Sequence, residues 1–188
     1  IDAVQYAPHG PIDVQDLGCD FLVASAYKFY GPHQGVLWGR EELLSTLPAY
    51  RLRVVKDVPP GRYETGTQSL EGQAGTIGAL EYIQWVGTTM GREFLDDNPS
   101  LRQRTREIHA GLKVMAEYDR MLVGHLLSGL QRLKGVEVRG ITNPERFIHR
   151  VPTVSFTKPG LVPSELSTFL DQHGVYVWDG HSYGIDVI

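Results

Sequence analysis

The chain has 188 residues, 41% of them hydrophobic and 21% charged, a composition that fits one globular domain or a domain and a half. A formal net charge of −4 gives no general attraction to nucleic acid or to an anionic membrane surface. The single cysteine, Cys19, excludes a disulfide framework within the chain and points to a reducing, cytoplasmic setting; no apolar run approaches the ~20 residues of a membrane span.

In chain order, Ile1 to Gln5 reads as the tail of a buried strand, and 21-FLVAS-25 as a second strand running into a polar turn. A third, 35-GVLWG-39, is bounded by glycines. Glu41 to Leu47 fits a short helix, with Glu41 and Glu42 in the first turn opposing the helix dipole and Pro48 just beyond the end. The stretch 57-DVPPGRYETGTQ-68 is loop by composition. From Leu70 to Val86 apolar residues recur at helical spacing, and a long helical region follows from Leu101 to Leu133, ended by Gly135. Strands are expected at 136-VEVRG-140, 151-VPTVSF-156 and 175-VYVW-178, with a short helix from Pro163 to His173 closed by Gly174. The front half carries the functional-looking loops and the back half forms a compact α/β or α+β unit, with the boundary between Gly91 and Ser100. The chain opens on Ile1-Asp2 and stops at Ile188 after an aromatic-rich segment, and both ends read as cuts through a longer protein.

Three segments carry candidate chemistry. In 25-SAYKFYGPHQG-35, Lys28 lies three residues past an apolar strand, beside Ser25 and between aromatics. An amine near low-dielectric walls can lose its proton and attack a carbonyl, and a serine hydroxyl nearby can bind a phosphate oxygen. Asp2, at a strand end, offers an anionic partner for a cationic ring nitrogen, with Gln5 a short turn on. In 62-RYETGTQ-68, Gly66 and Thr67 offer open backbone N–H groups and a hydroxyl, a phosphate cradle in outline. Taken singly, each has a plainer reading: a solvated loop lysine, a turn aspartate and a helix-preceding turn. The histidines show no metal-ligand spacing with carboxylates or cysteine, so no metal is expected.

Taken in order, 2-DAVQYAPHGPIDVQDLGCDFLVASAYKFYGPHQGVLWG-39, 63-YETGTQSLEGQAGTIGALEY-82 and 174-GVYVWDGHSYG-184 resemble the class V aminotransferase family, and most closely its cysteine desulfurase-like branch. The resemblance covers essentially the whole chain. It implies an α/β fold of the fold-type I pyridoxal-phosphate class, with residues 1–92 as the later part of a large cofactor domain and 93–188 as a small C-terminal domain. By the same resemblance Lys28 forms the internal aldimine with pyridoxal phosphate, Asp2 pairs with the pyridine nitrogen and Gln5 hydrogen-bonds the ring hydroxyl. Ser25 binds the phosphate, and Tyr27 stands where the family commonly has a histidine on that phosphate. Gly66 and Thr67 reach the phosphate of a neighbouring subunit's cofactor, which implies a homodimer with shared active sites acting on an amino acid or small amine. A desulfurase needs a thiolate that attacks the substrate sulfur, and here 179-DGHSYG-184 carries Tyr183 about where that cysteine falls in the family. Three readings stand side by side: a pyridoxal-phosphate enzyme of another reaction type, a true desulfurase whose cysteine lies outside this chain, and a catalytically silent relative serving as a binding subunit. The ring-stacking side chain and the arginine that grips the substrate carboxylate are expected outside residues 1–188.

Overall fold

The computed structural model describes residues 1–186. They form, in order, β1 (Phe21–Ser25), β2 (Gly35–Gly39), α1 (Glu41–Thr46), α2 (Leu70–Met90), α3 (Gln103–Gln131), β3 (Glu137–Arg139), β4 (Ser155–Thr157) and α4 (Pro163–Asp171), with short 3₁₀ turns between several of them. The chain divides into two compact units, Ile1–Asp119 and Arg120–Ile188, the division falling inside α3.

In the first unit β1 and β2 pair antiparallel, Phe21 opposite Gly39 through Ser25 opposite Gly35. The N-terminal segment lies parallel to β1 on its other side, bridging Asp2 to Val23, with the Val23 N–H donating to the Ile1 carbonyl (3.0 Å) and the Ala3 N–H to the Val23 carbonyl (2.8 Å). The strand expected over Ile1 to Gln5 is thus a single bridge. It stops because the chain turns: Asp2 Oδ1 accepts the Val4 N–H (2.9 Å), and the Tyr6 and Ala7 N–H groups both return to the Ala3 carbonyl. One sheet face buries Ala3, Cys19 and Leu22, covered by Ile12, Val14 and Trp38.

Helix α2 begins at Ser69, whose hydroxyl accepts the Gly72 N–H (3.2 Å), and ends at Gly91. It crosses α3 at a glycine pair: a Cβ on Gly87 would fall on the Glu107 carbonyl, and one on Gly111 on the Ile83 carbonyl. Glycine costs about 1 kcal/mol in a helix interior, and here it lets two backbones touch. Ile83 and Ala79 of α2 and Leu112 of α3 then close over Ala26 and Phe29, the main core cluster.

In the second unit Val123 and Leu127 of α3 are buried, and β3 pairs antiparallel with β4. The strand expected over 151–156 is confined to Ser155–Thr157. Pro152 has no N–H to give, and the Arg150 guanidinium takes the carbonyls of Val151 (3.2 Å), Thr153 (2.7 Å) and Ile141, so those groups are withdrawn from any ladder. Residues 175–178 are exposed and form no strand among the described residues. Alternating Val and aromatic residues supply the propensity, and a ladder needs a partner as well.

Candidate active site

The site is built on the connection between β1 and β2. The Ala26 N–H donates to the Gln34 carbonyl (2.8 Å) and closes the loop, and Ala26–Phe29 winds into one 3₁₀ turn. That turn is two-sided. Ala26 (0% exposed) and Phe29 (9%) point into the core formed with α2 and α3, while Tyr27 and Lys28 stand in solvent. Burial of an aromatic ring and a methyl group fixes the turn, so the lysine extends from a rigid base although nothing packs over it. Tyr30 ends the turn in the left-handed region (φ 71°). It is held there by an edge-on contact with Tyr82 (ring centroids 5.2 Å) and by its hydroxyl against Met115 Sδ (3.7 Å). Burial first, then the neighbouring Tyr82 and Asp119, push its phenol above the ordinary value of 10.0, so it stays protonated.

Strand alternation decides what shares the open face of the sheet. Asp2 and Val23 are bridge partners, so their side chains leave the same sheet face, and Ser25, two residues on, shares it. Ala3 and Leu22 occupy the opposite, buried face. The open face therefore presents a carboxylate (Asp2) and, at the strand end, a hydroxyl (Ser25) that leads directly into the lysine turn. Lys28 Nζ sits 5.3 Å from the centre of the Tyr27 ring, and Tyr27 in turn leans on His33 at 5.2 Å. Gln5 is exposed on the turn that follows Asp2.

Gly66 and Thr67 are on a separate loop, both exposed, with Gly66 at φ 76° and open space where a Cβ would stand. They connect to the lysine loop through α2, whose Gly72 adjoins the Gln34 side chain and whose Gly75 faces the Pro32 ring so closely that an added Cβ would lie 3.0 Å from it. Two features have no counterpart in the sequence reading. His9 Nδ1 lies 2.8 Å from Asp119 Oδ2, tying the turn after Asp2 to α3 across 110 residues, and Arg62 is folded against the end of α1. Neither leaves a local pattern, because both partners are distant in sequence.

A family model described as aminotransferase class V matches residues 1–185. The chain belongs to the class V aminotransferase family. It is 30% identical over 193 residues to a probable cysteine desulfurase 2 of Mycobacterium leprae, an alignment covering 96% of this chain and 40% of the relative. It is 31% identical over 184 residues to a probable cysteine desulfurase of Synechocystis, again covering 96% of this chain and 40% of the relative. Among solved structures it resembles the apo cysteine desulfurase of Thermococcus onnurineus, with a TM-score of 0.75, 28% identity, and coverage of 96% of this chain and 41% of that one. The likeness bears out the expected α/β fold of the fold-type I class, and this chain spans about 40% of the length of the curated relatives it matches.

The donor set at the lysine turn fits the cofactor expected of such a family. The turn brings the Lys28 amine and the Ser25 hydroxyl, the N-terminal segment the Asp2 carboxylate, and the separate loop the Thr67 hydroxyl and the open backbone of Gly66. No helix of the described residues is long and apolar enough to cross a membrane.

Proposed function

We propose that this class V aminotransferase chain is part of a pyridoxal-phosphate enzyme acting on an amino acid or small amine, with Lys28 as the lysine that carries the cofactor. The observation that carries the reading is the two-sided turn: Ala26 and Phe29 anchor it in the core while Lys28 stands exposed, one short turn past the strand whose open face carries Asp2's bridge partner Val23 and Ser25. When bound, pyridoxal phosphate supplies a ring that accepts the electron pair released from a bond to the substrate α-carbon. Lys28 contributes a primary amine, first as a nucleophile toward a carbonyl and, once freed, as a base that holds or returns a proton at the α-carbon. Asp2 provides the negative charge that keeps a ring nitrogen protonated, with its Oδ1 oriented by the Val4 N–H at 2.9 Å. Gln5 is assigned to the ring hydroxyl, and Ser25 and Tyr27 to phosphate oxygens. Gly66 and Thr67 are assigned to the phosphate of a second subunit's cofactor in a homodimer with shared active sites. Residues 1–92 would then form the later part of the cofactor domain and 93–188 the small domain, in a cytoplasmic protein. The direct test is reductive trapping of the intact protein with pyridoxal phosphate, followed by peptide mass mapping. The added cofactor mass is expected on the peptide holding Lys28; a trapped mass on another lysine, or none, contradicts the reading.

The names of the relatives favour a second reading, with cysteine as substrate. Within this chain the sulfur-accepting thiol is not Cys19. That residue is 9% exposed, enclosed with Ala3 and Leu22, and its Sγ points at the Val14 carbonyl at 3.9 Å. Tyr183 in 179-DGHSYG-184 carries a phenol, which cannot take up a sulfur atom as a persulfide. Desulfuration would therefore draw its thiol from outside these 188 residues. Assay of alanine formation from cysteine, with the accepted sulfur freed as sulfide by an added thiol reductant, decides between the readings: alanine formation sensitive to prior thiol alkylation supports desulfuration, and its absence supports another reaction on the same cofactor.

A further inference from the structure

The loop carrying Gly66 and Thr67 has no packing of its own. Residues 64–71 are all exposed, and nothing lies within 4 Å of the position a Cβ would take on Gly66. Yet a phosphate contact requires the N–H groups and hydroxyl to be held in place before the ligand arrives. What holds them is found at the loop's two ends. On the downstream side Ser69 caps α2. On the upstream side lies Arg62, whose side chain is 11% exposed and whose guanidinium holds several groups at once.

Helix α1 ends at Thr46 with no basic residue in its last turn, and its final carbonyls have no partner in the helix. Arg62 takes them. Its Nη1 donates to the carbonyls of Leu44 (3.3 Å) and Ser45 (2.5 Å), and its Nη2 to that of Leu47 (3.0 Å). The neighbouring Tyr63 hydroxyl donates to Leu44 (2.7 Å) and Leu47 (3.3 Å), and the guanidinium rests 5.5 Å from the Tyr63 ring. Arg62 Nε is buried and lies 3.2 Å from Asp57 Oδ1, close enough for charge pairing though not aligned as a hydrogen bond. Asp57 also pairs with Arg51 Nε at 3.1 Å. A planar fork of five donors satisfies three carbonyls and a carboxylate at once, which a lysine ammonium on a flexible stem does not.

We infer that Arg62, with Tyr63, is a positioning residue for the phosphate contact of Gly66 and Thr67: it fastens the loop to the end of α1 and so fixes where those two residues can reach. The inference rests on the assignment of Gly66 and Thr67 to a cofactor phosphate. From Tyr63 to Gly66 the chain spans three residues, at most about 10 Å, so an anchor at Arg62 and Tyr63 leaves the glycine little room to wander. Arg62 itself touches neither cofactor nor substrate in this scheme.

The test uses the intact protein and compares affinity for pyridoxal 5′-phosphate with affinity for pyridoxal, which lacks the phosphate. A residue that merely stabilises the fold lowers both affinities together or neither. A residue that positions the phosphate contact changes their ratio. Arg62→Lys is expected to reduce the preference for the phosphorylated form about tenfold, with pyridoxal binding within about twofold of wild type. Thr67→Ala is expected to lose the same preference. Tyr63→Phe, which removes only the hydroxyl bonds to α1, is expected to lose about threefold and serves should Arg62→Lys not fold. A ratio unchanged in Arg62→Lys, or in Tyr63→Phe if that is the variant available, while Thr67→Ala loses it, overturns the positioning role and leaves the phosphate assignment standing. A ratio unchanged in Thr67→Ala overturns the assignment, and the positioning role with it.

Discussion

The lysine turn and the Gly66–Thr67 loop are both exposed at the atoms that matter, and they are held by opposite means. Beneath Lys28, Ala26 and Phe29 are sealed against Ala79, Ile83 and Leu112, so the turn is fixed from below by apolar packing on two helices. Gly66 and Thr67 are exposed, and the contacts on which their inferred anchoring rests lie to either side, a guanidinium on carbonyls at the end of α1 and a serine cap on α2. Packing is non-directional and shared among many atoms, so the turn tolerates loss of any polar neighbour. A hydrogen-bonded anchor is directional and rests on few atoms, so the loop fails when one of them changes. In the proposed reading the amine nucleophile sits on the first kind of support, and the pair assigned to a second subunit's cofactor sits on the second.

The strongest way to break this contrast is to remove the packing under the turn. Phe29→Ala is expected to cost about 4 kcal/mol of stability and to speed exchange of the Gly31 amide, which donates to the Ala26 carbonyl. Chemical denaturation and hydrogen exchange measure the two effects, and the loop amides at 64–68 should change only in step with global stability. Next comes Gly87→Ala, which drives a methyl group onto the Glu107 carbonyl and separates α2 from α3 under the same turn. The expected loss is about 3 kcal/mol, read from the denaturation midpoint. Smaller again, Ser69→Ala removes the cap of α2 and is expected to cost about 1 kcal/mol. Here the exchange pattern should invert, with faster exchange around Gly72 and little change at Gly31.

The smallest effect concerns pH. His109 on α3 lies next to Ile108, which packs against the core under the turn. Burial first, then the Lys113 ammonium, hold its pKa below the ordinary 6.5, and Asp13 offsets part of this. Below pH 6.5 the unfolded chain takes up a proton that the folded chain resists. The stability from neutral His109 is therefore whole above that pH and is lost as pH falls through the folded value. His109→Gln should flatten that part of the stability profile in a denaturation series. An unchanged slope would show that His109 ionises as freely in the folded protein as in the unfolded one.

Much of this was legible in the sequence, for identifiable reasons. The helices at Glu41–Thr46, Leu70–Met90, Gln103–Gln131 and Pro163–Asp171 announce themselves by periodicity, first-turn acids and terminal Gly or Pro. Lys28 is visible because it lies three residues past an apolar strand, and Asp2 because it follows an apolar residue at a strand end. The sheet was harder. At 175–178 the residues favour a strand and no partner pairs with them among the described residues; at Ile1 to Gln5 a side-chain cap by Asp2 turns the chain early. Gly87 and Gly111 read as poor helix residues and prove to be where two helices touch, which propensity cannot show. The Arg62 anchor was least legible of all, since an arginine in a loop has no local signature when its acceptors are carbonyls 15 to 18 residues back.

The central claim is that Lys28 is the cofactor lysine of a class V aminotransferase chain. Its most direct test is the visible absorption of the intact protein with pyridoxal phosphate, recorded for wild type and for Lys28→Ala. Because Lys28 is exposed and packs nothing into the core, the variant should fold and melt as wild type does. A band present in wild type and absent from the folded variant is the predicted result. A band that survives in Lys28→Ala, or a folded wild type that shows none, would contradict the account.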